Sequence, residues 1–427
     1  GDVMASGPLQ GIRVLEFTQI IAGPFGCQHL ADMGAEVIKV EPPGGEPWRL
    51  FSQFMPGESK TFQSLNRGKK SLVLTLQDPK AQEIIHRLMP TIDVVVINYR
   101  PDVPQKLGID YETLKALRPD VIYLDNTAWG RKGPWANRPG YDIIAQAVSG
   151  LMAAEGKVEP SGAPGVITST AIADYTTGVA IAWAICAALY HREKTGEGQL
   201  VETTLLNTAL AVQGTTAMEL PAADAMKTMK MAKVNELRQQ NAPYGDLLEA
   251  YRMGDLARAA NIYYRTYATK DGAVAIGALS PTLWAKVRAA IPTDFMGMQD
   301  PEFNPLDPEY LAKARAGVAK VEDQFKEQPT QHWLEVMERH GVPVGPVNFV
   351  EDAVADEQAI ANGMLVDIDH PLSGPQKQVS PMLRMEKTPL AAQGPSPVLG
   401  ADTDAIVASA GYSAEDIAAL REAGVIA

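Results

Sequence analysis

Between residues 12 and 126, short apolar runs rich in β-branched residues alternate with stretches of helical periodicity. This alternation constrains the fold more than any other feature of the chain. IRVLEF (Ile12 to Phe17), EVIKVE (Glu36 to Glu41), KSLVLTL (Lys70 to Leu76), DVVVINY (Asp93 to Tyr99) and DVIYLDN (Asp120 to Asn126) read as strands. AGPFGCQHLADMG, with Cys27, Leu30 and Ala31 on one face and Gly34 as a C′ glycine, reads as a helix; so do Pro79 to Met89 and a shorter stretch around Tyr111 to Leu117. Strands joined by such helices lie parallel and are covered on both faces, which predicts the α/β class.

From Tyr141 the character becomes helical, with helices expected over Tyr141 to Ala154, Ala173 to Glu193 and Gln199 to Met218. Ala222 to Arg258 carries no strand signal. Tyr263 to Ala278 is a hairpin candidate turning at Lys270-Asp271-Gly272, and Pro343 to Asn348 is a further strand. Ser413 to Gly424 reads as an amphipathic helix, with Ser413 and Asp416 at capping-box spacing. A chain of 427 residues is long enough for two or three domains.

Charge narrows the function classes. With 51 acidic against 38 basic residues the chain carries −13, which disfavours nucleic acid and anionic membrane as partners. The stretch from Lys39 to Arg138 is the exception, with 15 Lys and Arg against 11 Asp and Glu, so a polyanionic ligand could be held there. The longest apolar run, Val179 to Tyr190, is shorter than the ~20 residues of a membrane span, and no basic-then-apolar leader opens the chain; a soluble, cytoplasmic protein is expected. Six scattered histidines and two cysteines, Cys27 and Cys186, show no ligand spacing, so no metal site is expected; GxSxG, GxGxxG and P-loop motifs are absent.

Asp174 is the most informative carboxylate. It follows the small-residue run Ser169 to Ala173 at the start of an apolar helix, where the helix dipole favours an ionised, nucleophilic carboxylate. On spacing alone, a simple helix N-cap is at least as good a reading.

Seven segments in order resemble the family III CoA-transferases, a group that includes formyl-CoA transferase and carnitine CoA-transferase, with α-methylacyl-CoA racemase as a relative. They are GPLQGIRVLEFTQIIAGPFGCQHLADMGAEVIKVEPPGG, SLNRGKKSLVLTL, VVVINYRPDVPQKLGIDYETL, GPWANRPGYDIIAQAVSGLMAAEG, IADYTTGVAIAWAICAALYHREKTGEGQLVETTLLNTAL, HGVPVGPVN and VLGADTDAIVASAGYSAEDIAALREAGVIA. The resemblance implies a large Rossmann-like domain with a parallel sheet, formed by residues 5–215 and rejoined by 341–427. A smaller α+β domain with linkers would span 216–340, and two chains would form a homodimer of interlocked rings. Coenzyme A or acyl-CoA would be a substrate, with no prosthetic group, and CoA would move from an acyl-CoA donor to a carboxylic acid acceptor, the acids being either small dicarboxylates or branched or aromatic ones.

CoA would be held by Ile20, Ile21 and Ala22 after the first strand, by Asn66, Lys69 and Lys70, by Asn98, Tyr99 and Arg100, and by Lys106. Pro42 stands where members often carry a basic residue, which leaves Lys69, Lys70 and Arg100 as the favoured phosphate contacts. Asp174 matches the family nucleophile, which forms an aspartyl anhydride and then an aspartyl-CoA thioester. Tyr141, Asp142 and Gln146 would surround the acyl group, together with Tyr263 to Arg265. The related racemases carry a His at the position of Tyr141, and tyrosine is a weak acid for proton transfer at the α-carbon, so the transferase is favoured over a racemase. A CoA-dependent lyase or a paralogue that only binds CoA would keep the same fold.

Overall fold

The computed structural model describes residues 7–167, 170–252 and 256–427. These fall into two units, the first drawn from the described residues of Gly1–Lys157, Pro164–Met218 and Ile360–Ala427, the second from those of Val158–Ala163 and Glu219–Ala359.

The first unit is built on six strands: β1 Arg13–Glu16, β2 Glu36–Glu41, β3 Lys70–Val73, β4 Val94–Ile97, β5 Ile122–Thr127 and β6 Gln199–Thr204. All their pairings are parallel, in the order β3-β2-β1-β4-β5-β6. The chain winds outward from β1 in one direction and then returns to wind outward in the other. That leaves a crevice beyond the carboxyl ends of β1 and β4, the usual ligand position in a doubly wound sheet.

Alternating residues feed two cores. Leu15, Ile38, Val95 and Tyr123 face α2 (Pro79–Leu88) and α3 (Tyr111–Leu117), while Val14, Val37, Val94, Val96 and Leu124 face α1 (Ala22–Asp32) and α5 (Ile172–Thr195). Helix α5 is apolar and long enough to cross a membrane by length and composition, and here it packs in the second of these cores. It approaches α1 very closely. A Cβ on Gly178 would lie 2.9 Å from Ala22 O, and one on Gly26 would lie 2.7 Å from Ile181 Cγ2, so only glycine fits at this crossing.

Two helical expectations need correction. Tyr141 to Ala154 is interrupted: α4 spans Asp142–Ser149 and ends at Gly150, whose φ of 91° stops the helix before a short second one, Leu151–Glu155. Gln199 to Met218 is not helical from its start, because QLVETT forms the edge strand β6. Gly196 ends α5 at φ 77°, and Thr204 accepts a hydrogen bond from Asn207 N to cap α6 (Leu205–Ala211).

The chain end completes this unit. Helices α7 (Thr403–Ser409) and α8 (Ala414–Glu422) add Ile406, Val407 and Leu420 to the α2 core. Val73 N donates to Thr403 Oγ1, Thr75 N donates to Val425 O, and Leu74 bridges Ile426 antiparallel beside β3. Ser413 and Asp416 form the expected capping box.

In the second unit the hairpin Tyr264–Ala268/Ala273–Gly277 is antiparallel, and Val344–Pro346 pairs with its second strand. The boundary expected at 341 therefore lies further on, at 360, because this strand completes the hairpin's sheet. Tyr267 stacks on Phe325 at 3.9 Å in its core.

Candidate active site

The crevice beyond β1 and β4 holds a cavity of about 300 Å³. Its wall is made by residues that follow three strands: Gln19, Ile20 and Ile21 after β1, Asn98, Tyr99 and Arg100 after β4, and Ala128 after β5. The amino ends of α1 (Ala22), α4 (Tyr141) and α5 (Asp174) border it. Each helix end presents amides without intrahelical acceptors and the positive end of its dipole. An otherwise acidic chain thus offers an anion a favourable pocket.

Asp174 is the third residue of α5 and is buried. It is not the helix cap. Asp142 Oδ1 accepts from Asp174 N at 2.9 Å, so a carboxylate 32 positions earlier closes this end of α5. Asp142 Oδ2 accepts from Gln146 Nε2 at 2.5 Å, and Gln146 Oε1 accepts from Ile167 N. Among the described residues none hydrogen-bonds to the Asp174 carboxylate. Burial, and then the Asp142 charge, push its pKa up to about 7. Burial and the Asp142 charge thus oppose the ionised form that a position at a helix start favours.

The loop after β1 is held by buried charge. Ile20 has φ 75°, a conformation that costs a β-branched residue about 1–3 kcal/mol. Glu46 Oε1 accepts from Ile20 N at 2.9 Å, Lys39 Nζ donates to Thr18 O at 3.0 Å, and Lys39 pairs with Glu46. Burial opposes the Lys39 charge, yet Glu16, Glu46 and Glu41 hold its pKa up at about 12. Between neighbouring loops, Asn98 Nδ2 donates to Gln19 O, and Asn98 Oδ1 is buried without a hydrogen-bond partner among the described residues.

Of the residues expected to hold CoA, Ile20, Ile21, Ala22, Asn98, Tyr99 and Arg100 line the cavity together. Asn66, Lys69 and Lys70 do not, which corrects the favoured phosphate contacts. Lys69 Nζ is buried and donates to both Glu16 oxygens, Pro24 O and Asn66 Oδ1, so it neutralises Glu16 inside the fold. Asn66 spends its amide on Phe62 O. Lys70 opens β3 at the amino edge of the sheet, paired with Glu36, the first residue of β2. Lys106 is exposed beside Asp102 and is not part of the cavity wall. Tyr263 to Arg265 belong to the second unit. Gln19, Asn126, Thr127 and Gly140 line the cavity without having been singled out in the sequence; Gln19 follows β1, Asn126 and Thr127 end β5 and Gly140 precedes α4, positions that point to a site only once the strand order is known.

Tyr141, Asp142 and Gln146 do gather at Asp174, on the wall of a second cavity of about 510 Å³. Asp174, Ile20, Ile21 and Tyr141 are common to both cavities.

Comparison with known proteins gives one consistent result. Residues 9–403 match the family model described as CoA-transferase family III. The human succinyl-CoA:glutarate CoA-transferase is 32% identical over 98% of this chain and 90% of its own length. The succinate–glutarate CoA-transferase of Agrobacterium fabrum is 35% identical, over 92% and 93%. Among solved structures, Rv3272 from Mycobacterium tuberculosis superposes with a TM-score of 0.74 at 26% identity, over 94% of this chain and 100% of that one.

Proposed function

The chain belongs to CoA-transferase family III, and on that premise we propose that it moves CoA between an acyl-CoA donor and a carboxylic acid acceptor with Asp174 as the covalent carrier. The observation that carries the reading is Asp174 itself. It is a buried carboxyl common to two cavities, and no described residue hydrogen-bonds to it.

In the reading proposed, an ionised Asp174 oxygen attacks the thioester carbonyl of the donor. The C–S bond breaks, giving an aspartyl acyl anhydride and CoA thiolate. The thiolate then attacks the aspartyl carbonyl, the anhydride C–O bond breaks, and the donor acid leaves as its carboxylate from an aspartyl-CoA thioester. An acceptor carboxylate reverses both steps. A carboxylate suits this role because each product of its attack remains an activated acyl group. Amides at the amino ends of α1 and α5 supply positive potential for the oxyanions. The cavity at the strand ends suits the pantetheine arm. Arg100, half-exposed at the rim, suits a phosphate.

The same reading includes a homodimer of interlocked chains. Trp183 and Tyr190 on α5 are 73% and 65% exposed, an apolar surface that a second copy would cover. Light scattering of the purified chain should give twice the monomer mass.

The test of the transferase reading is Asp174→Ala. It should abolish exchange of CoA between acids while CoA still binds, and the parent protein incubated with acyl-CoA should yield a hydroxylamine-sensitive, borohydride-reducible adduct on Asp174 by peptide mass spectrometry. Full exchange by the variant would refute the assignment.

A further inference from the structure

We propose that the second cavity beside Asp174 receives the acyl group, and that the acyl group it takes is uncharged and apolar, branched or aromatic. This rests on the reading that Asp174 is the acyl acceptor. The cavity, about 510 Å³, opens from the Asp174 carboxyl on the side lined by Trp48, Phe51, Ile143, Val166 and Ile167. Trp48 and Phe51 stack with ring centroids 5.0 Å apart at 10°, forming a flat apolar wall. A volume of this size accommodates a small-molecule group of several carbons.

Charge makes the case more specific. The charged groups among the described lining residues are Asp142 and Asp174, and no lysine, arginine or histidine is among them. Both Asp142 oxygens already accept hydrogen bonds, from Asp174 N and Gln146 Nε2, and the Gln146 carbonyl is taken by Ile167 N. Asp142 and Gln146 are thus committed to holding α5 in place, and besides Asp174 the wall carries the neutral hydroxyl of Tyr141. A dicarboxylate would bring its second carboxylate into this cavity against apolar walls and like charge, losing water without gaining a cation from the residues of this chain that line it. A branched aliphatic or aryl group would replace water on the same walls at no such cost. Relatives named for succinate and glutarate therefore mark a difference in acyl group, within a shared family.

The experiment is identity exchange with the full chain, following transfer of CoA from unlabelled acyl-CoA to the matching isotope-labelled acid. Isobutyryl-CoA and phenylacetyl-CoA are set against succinyl-CoA and glutaryl-CoA. We expect kcat/KM for the uncharged pairs to exceed that for the dicarboxyl pairs by about 100-fold. Succinyl or glutaryl exchange equal to or faster than both uncharged pairs overturns the proposal. In a second arm, Ile143→Lys places a cation on the cavity wall at a half-exposed position. It should narrow the ratio by about 10-fold; an unchanged ratio means that the acyl tail lies elsewhere and also overturns the proposal. Absence of exchange with all four donors, and of any adduct on Asp174, would instead refute the transferase reading on which the proposal depends.

Discussion

Replacing Asp174 with asparagine should make the protein more stable, and by an amount that depends on pH. The folded chain keeps the Asp174 proton up to about pH 7, whereas an unfolded chain loses it near 3.8. Between those values the folded state binds more protons than the unfolded one, so native stability falls as pH rises, and the loss is complete above 7. The gap between 3.8 and about 7 corresponds to at most about 4 kcal/mol. Asparagine has the same shape and never ionises, so it escapes that cost. The assay is thermal unfolding of parent and Asp174→Asn side by side at pH 4.5, 6 and 8, without ligand. The difference in Tm should be smallest at the lowest pH and should increase to several degrees at the highest. A difference that stays constant across the series would refute the argument, because it would mean that Asp174 ionises as easily in the fold as outside it. The result also bears on mechanism: stability given up at the nucleophile is the counterpart of a carboxylate poised to attack.

Three further outcomes follow from the geometry. Asp142→Asn removes the like charge beside Asp174, so the pH midpoint for adduct formation should move to lower pH in single-turnover measurements; an unmoved midpoint would leave burial as the sole cause of the shift. Lys69→Met takes from buried Glu16 its nearest cation, leaving it Lys39 at 3.9 Å and the Thr18 hydroxyl, and should cost about 1–3 kcal/mol in denaturant unfolding, while Lys70→Ala should change stability by less than about 0.5 kcal/mol and leave the KM for acyl-CoA unchanged. Gly178→Ala forces α1 and α5 apart and should cost about 1–3 kcal/mol, read as a lowered denaturant midpoint, whereas Gly411→Ala, where no atom lies near the added carbon, should cost only the backbone strain of its positive φ.

The elements were legible in the sequence where one signal dominated. VVVI and EVIKVE are strands in any reading, and the Ser413/Asp416 pair marks a helix start directly. QLVETT was ambiguous because six residues with two apolar positions fit either period, and the pairing with β5 decides it. Within the site, segments adjacent to strand ends were readable, and Ile20, Asn98 and Asp174 do share a cavity. The roles of Lys69 and Asp142 were not. Lys69 looks like a phosphate contact until Glu16, 53 positions away, accepts its charge, and Asp142 becomes the cap of α5 only across 32 positions. Long-range charge pairing leaves no local pattern, so a sequence reading takes a buried lysine for a free one.

The closing of the first unit by α7 and α8 has a consequence for how the protein is made. Leu72, Leu74, Ile84 and Ile85 belong to the core that Ile406, Val407 and Leu420 complete, and more than three hundred residues separate these two groups, with the whole second unit between them. A ribosome emits the chain in order, at about 5–20 residues per second. For some tens of seconds, then, the sheet exists with one apolar face incompletely covered, while the second unit has all of its strands and helices in hand. The small unit can finish first although it starts later. Chaperone contacts during synthesis should accordingly concentrate on the β3 and α2 segments and be released when α8 emerges.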